Sequence, residues 1–132
     1  MVAFEAFYEA CRHPLIYNGD LTTPAQMHEM EERYPRLAGI MLGRGLLARP
    51  TLATEYTQGK ELSHTDHLST LRTLHSRLME QYAQIVKGDA QLHSKMRPFW
   101  EYTETLIGHK PYKKIMKAGN LRNYMNAIEE LR

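Results

Sequence analysis

The sequence predicts a predominantly helical chain of mixed class, α/β plus all-α, in which two β/α units precede a helical bundle. Three observations carry that prediction. Two short apolar runs, Leu15-Ile16-Tyr17 and Gly39-Ile40-Met41-Leu42, each stop at a turn holding a glycine and a charged residue. Strong helix-start signals lie between them, so the runs read as a parallel strand pair joined by a crossover helix. After Gly45 the apolar spacing is helical to the end of the chain.

The elements follow in order. Phe4, Phe7, Tyr8 and Cys11 fall at i, i+3, i+4 and i+7, the stripe of an amphipathic helix that Pro14 ends. The first strand follows. Thr23 then caps a helix with Pro24 at its first position and Gln26 completing a capping box, running to about Arg33 before Pro35 breaks it. The second strand, 39–42, closes the βαβ unit. Residues 46–56 hold one short helix, interrupted by or starting at Pro50. Thr57 to His64 is the one linker-like stretch. It divides the chain into a β/α part, 1–57, and a helical part, 58–132. In the latter, Leu68, Leu71, Leu74, Leu78, Tyr82 and Ile85 mark a long helix closed by Gly88. Asp89 caps a helix carrying Leu92, Met96, Trp100 and Leu106 that restarts near Pro98. A shorter helix follows Pro111 and ends at Gly119, and Asn120 caps the last one.

Composition narrows the function classes. The 132 residues carry 17 Lys+Arg against 15 Asp+Glu, a balance that points to no partner by itself. The charge is nevertheless segregated: residues 88–127 hold seven basic side chains and three acidic ones, interleaved with aromatics. That pattern suits a phosphate backbone, although a solvated helix face has the same composition. A single cysteine excludes a disulfide framework and fits a reducing cytoplasm. The first residues lack a signal-peptide core, and no apolar run reaches the roughly 20 residues that span a bilayer.

The two strand ends are the sharpest signal. Ligands of β/α folds bind at the carboxyl ends of the strands, and barrel enzymes commonly place phosphate on their last two strand loops. Glycines at 19, 43 and 45 let backbone N–H groups approach an anion. Arg44 offers a forked, permanent cation, and Asn18 and Asp20 can bond the turn or a ligand hydroxyl. Plain strand-to-helix turns use the same residue types. The ordered pair, one crossover helix apart, favours phosphate.

The stretch "LIYNGDL", followed by "GIMLGRGLLARP", resembles the last two barrel strands of the tRNA-dihydrouridine synthases. The stretch from Lys95 to Leu131 is similar to the helical domain of that family's shorter bacterial members, so the resemblance covers the whole chain. It implies the last two β/α units of a TIM-type barrel followed by a helical tRNA-binding domain. It further implies that Asn18, Gly19, Asp20, Gly43 and Arg44, with Gly45 beside them, hold the phosphate end of FMN. Leu21 stands where the family commonly has isoleucine, and Leu46 to Arg49 are bulkier than the small residues often found after its GRG. The resemblance implies NADPH as reductant and tRNA as partner, with Lys95, Arg97, Lys110, Lys113, Lys114 and Lys117 as phosphate contacts. The preceding barrel strands, and the cysteine that protonates the uracil ring, are absent from this sequence. Cys11 lies at the wrong end of the strands for that role and reads as a small buried hydrophobe. The chain therefore corresponds to the C-terminal part of a synthase, inactive alone, with self-association as one way to cover its open strands.

The remaining candidates are weak. His64 and His67 stand three apart at a helix start, where exposed residues are expected and no metal-ligand spacing accompanies them. His75, His93 and His109 have no acidic partner at a telling distance in sequence, and Trp100 reads as core. The alternative to an enzyme fragment is a non-catalytic helical RNA-binding or interaction module that keeps vestigial β/α units.

Overall fold

A computed structural model describes residues 2–132, with the side chain of Val2 left aside. The chain opens with α1 (Val2–Ala10), β1 (Leu15–Asn18), α2 (Pro24–Arg33) and β2 (Leu37–Met41). The two strands pair in parallel, Ile16 with Gly39, Tyr17 with Ile40 and Asn18 with Met41. Leu15 pairs with Leu37, so Ala38 is the extra residue of a bulge, and β2 starts two residues earlier than the apolar run suggested. The capping box of α2 forms as read: Thr23 Oγ1 accepts the Gln26 N–H at 3.2 Å, and Gln26 Oε1 accepts the Thr23 N–H at 3.2 Å.

Two short helices replace the one expected around Pro50: α3 (Arg44–Ala48) and α4 (Leu52–Gln58). The proline's missing N–H and fixed ring prevent one helix from running through. Gly59, at φ 63°, closes α4 in the left-handed region that only glycine enters freely. The helical part follows with α5 (His64–Ile85), α6 (Asp89–Met96), a 3₁₀ turn (Arg97–Trp100), α7 (Glu104–Ile107), α8 (His109–Met116) and α9 (Leu121–Glu129). Ser63 caps α5 and Asn120 caps α9 through their side chains. Asp89 is not a cap; Gly88, at φ 82°, occupies that position, and Gln91 Oε1 accepts the Lys87 N–H instead. The α8 helix begins at His109, two residues before Pro111, because proline fits a first helical turn.

Apolar residues gather in two clusters. The first joins Tyr8, Leu21, Met27, Met30, Tyr34 and Leu52, with Phe4, Tyr17 and Ile40 packed against it. Phe4 is its hinge, edge-on to Tyr17 at 4.9 Å and to Tyr34 at 5.1 Å between centroids. The second joins Leu68, Leu71, Met96, Trp100, Ile115, Tyr124 and Ile128 among others, and Trp100 is wholly buried in it, as its spacing predicted. Two expectations of the α1 stripe fail. Phe7 is 56 % exposed, and Cys11 lies past the helix end, half-buried, its thiol near the His13 carbonyl. The stripe turns toward α2 through Phe4 and Tyr8, which leaves positions 7 and 11 at its margin.

The sheet is covered on one face only. Tyr17 and Ile40 face the first cluster, whereas Ile16 and Met41 on the other face are 61 % and 56 % exposed. Parallel sheets are ordinarily covered on both faces.

Candidate functional site

The NGD and GRG segments end adjacent strands, so the parallel register sets them side by side. Leu21 donates its N–H to the Gly19 carbonyl at 2.9 Å, a tight three-residue turn that bends the chain away from β1. The Leu21 carbonyl then points at Gly45, where an added Cβ would stand 2.1 Å from that oxygen and 3.2 Å from Leu52 Cδ2. Gly45 is therefore required by close approach of backbone to backbone, with no positive φ involved. At Gly19 an added Cβ would meet only the Tyr17 ring, and at Gly43 nothing. The Arg44 guanidinium pairs with Asp20 across the two loops, and both side chains remain mostly exposed. That contact uses one Nη of Arg44 and leaves its other donors to the open side. Asn18, the last residue of β1, is exposed beside them on the uncovered face of the sheet.

Cys11 precedes β1, at the opposite end of the strands from these loops. The distance is topological: loops following β1 and β2 lie at one end, and the α1–β1 connection lies at the other.

A buried polar cluster joins the β/α part to α5, and the sequence reading missed it. Glu55 on α4 is 2 % exposed. It accepts both Nε and Nη2 of Arg49, at 2.5 and 2.9 Å, a bidentate pair. It also accepts the Leu62 N–H at 2.5 Å and the Thr51 hydroxyl at 3.2 Å. Burial alone would push its carboxyl up, but the Arg49 and Leu62 hydrogen bonds outweigh that and hold it at about 2. His67 Nε2 lies 3.3 Å from Glu55, and the imidazole is 4 % exposed, so the expectation of an exposed helix-start histidine is wrong. Burial holds His67 below its ordinary value in spite of the facing carboxylate. Among the described residues no group of histidine, cysteine and acidic side chains could hold a metal ion.

His75 is also buried. Its Nε2 stands 2.7 Å from the Tyr124 hydroxyl, which accepts the Trp100 indole N–H at 2.9 Å and lies 3.1 Å from the Met96 carbonyl. The hydroxyl has one proton, which either the Met96 carbonyl or His75 Nε2 accepts according to the histidine tautomer. Burial pushes His75 down to about 4. His109, read as lacking an acidic partner, has Glu104 at 2.6 Å.

The basic candidates fall into two sets. Lys110, Lys113, Lys114 and Lys117 line one open groove of about 670 Å³ between α8 and α9. Lys114 pairs there with Glu130, and among the described residues the other three make no ion pair. Lys95 and Arg97, on α6 and the 3₁₀ turn, are exposed but do not line this groove. No helix among the described residues is long and apolar enough to cross a membrane.

Comparison with known proteins agrees with the motifs. A family model described as dihydrouridine synthase (Dus) matches residues 5–132. No curated protein matches the chain at a significant level.

Proposed function

This chain belongs to the dihydrouridine synthase family, and from that premise we propose that it serves the flavin-dependent reduction of uridine to dihydrouridine in tRNA. Residues 1–57 form the last two β/α units of the barrel and 58–132 the tRNA-binding helices. One observation carries the reading. The two glycine loops are locked together at the carboxyl ends of adjacent parallel strands, through Asp20–Arg44 and the Gly45–Leu21 contact. That is where β/α enzymes seat a phosphate.

The residues fit the phosphate end of FMN. Gly19 and Gly43 leave room for backbone N–H groups to approach an anion, and Gly45, buried against the Leu21 carbonyl, seats the GRG loop. Arg44 has donors to spare, and Asn18 can bond a ligand hydroxyl. Asp20 holds Arg44 in place and neutralises part of its charge until an anion arrives. FMN, when bound, supplies the hydride to the uracil ring, with NADPH as its reductant. The proton donor comes from elsewhere in the barrel, because Cys11 is at the far end of the strands. The exposed Ile16 and Met41 mark a face open to further strands or to a second copy of this chain, and sedimentation at several concentrations tests for the second copy.

Titration with FMN tests this reading. Most ligand burial comes from the apolar walls of a pocket. These two loops alone should therefore bind FMN more weakly than about 1 μM. Tighter binding would show that the chain carries a complete flavin site and would end the fragment interpretation.

A further inference from the structure

We propose that Glu130 is an internal competitor for RNA phosphate in the α8–α9 groove, occupying Lys114 until a phosphate displaces it. The inference rests on the reading that the basic helices contact tRNA. It adds which of the cations form one surface and what restrains them. Lys110, Lys113, Lys114 and Lys117 come from α8 and the turn after it, and the facing wall is α9, with the neutral amides Asn123 and Asn126. Glu130 is the one acid lining this groove, and its carboxylate sits on Lys114. The pair is sixteen residues apart in sequence and exists only because α8 and α9 fold back on each other.

The physical consequence is an exchange. Each unpaired lysine that neutralises a phosphate releases a cation condensed on the RNA. The Glu130 carboxylate beside Lys114 cancels its charge in the groove, so the pair as a whole neutralises less phosphate and releases fewer of those cations. An incoming phosphate also meets the Glu130 charge at the same end of the groove. Glu130 therefore weakens binding and makes it less dependent on salt than four free lysines would be. Both side chains are more than half exposed, so the restraint is modest and a phosphate can displace it.

The test is fluorescence anisotropy with a labelled, unmodified tRNA transcript and the full chain, over a series of potassium chloride concentrations. Glu130→Gln keeps the shape and removes the charge. It should tighten binding by about threefold and steepen the salt dependence by about one unit of slope. Glu129→Gln changes the net charge equally at an exposed neighbour outside the groove, and should leave the slope as it is. Combining Lys114→Ala with Glu130→Gln should cancel the gain. The proposal is overturned if the Glu129 and Glu130 variants behave alike. It is also overturned if Glu130→Gln changes nothing while Lys113→Ala with Lys117→Ala still flattens the slope, since the groove would then bind RNA without competition. If no lysine variant alters binding, the tRNA reading of this groove fails and the competitor fails with it.

Discussion

The helical part buries Trp100, Tyr124, Leu71 and Ile115 completely, whereas the β/α part leaves Ile16 and Met41 more than half exposed on one face of its sheet. Both parts have apolar residues at the right period, so composition does not explain the contrast. Topology does. Helices pack around one another from any number of sides, and the segments from α5 to α9 close on a common centre. A two-stranded parallel sheet with helices on one side leaves its other face open among the described residues. The difference locates the proposed flavin site on the part with the open sheet face and the proposed RNA surface on the closed helical part. The polar ties also differ. The helical core is held by the neutral network of His75, Tyr124 and Trp100. The junction between the parts is held by Glu55, paired with Arg49 and reached by His67 and the Leu62 N–H, and by Arg49–Glu61.

The largest expected effect comes from emptying the closed core. Trp100→Ala removes a fully buried indole and one of the three hydrogen-bond partners of the Tyr124 hydroxyl, at a cost of about 4 kcal/mol. Phe4→Ala, in the half-open cluster, should cost about 2 kcal/mol, because its ring is only half-buried. Urea unfolding followed by circular dichroism ranks the two; equal losses would mean that the β/α part is as closed as the helical part.

Acid should separate the two sets of ties. His75 is held at about 4 against an ordinary 6.5, so the folded core binds fewer protons than the unfolded chain between those values. Its contribution is intact above about pH 6.5 and is lost on acidification to about pH 4, on the order of 3 kcal/mol in all. Glu55 is held at about 2 against an ordinary 4.5, so its own share of the junction is kept above about pH 4.5 and lost toward pH 2. His67, held below its ordinary value, adds to the loss in the histidine window. Melting temperature against pH should therefore fall first in the histidine window and again below it. A flat profile from pH 6.5 to 4.5 would remove His75 from the account.

A smaller effect is expected at the loops. Gly45→Ala places a methyl against the Leu21 carbonyl and should cost about 1–3 kcal/mol, forcing the GRG loop away from the NGD loop. Gly43→Ala meets no neighbour and should leave the fold as it is. The same thermal melts compare them, and equal behaviour would show that the loops are not docked as described.

Much of the frame was legible in the sequence because its signals are local. The Thr23-Pro24-Gln26 start and the Asn120 cap need only neighbours a few residues away. What escaped was set by residues distant in sequence. His67 is buried because Glu55 waits twelve positions earlier across a loop, and His75 is buried because α9 brings Tyr124 to it. The lysines at 110–117 share a groove while Lys95 and Arg97 do not, a distinction that depends on how α8 meets α9. At the loops, the glycines and Arg44 could be named from their motifs, but nothing in the sequence showed that Asp20 would take Arg44 as its partner or that Gly45 alone is sterically compelled.

The central claim is that the NGD and GRG loops together receive the phosphate of a flavin. Amide chemical-shift mapping of the full chain with FMN and with riboflavin, which lacks the phosphate, tests it most directly. FMN at high concentration should move the Gly19 and Gly43 amides most, and riboflavin should leave them in place. Unmoved glycine amides with FMN, or equal movement with riboflavin, would contradict the claim.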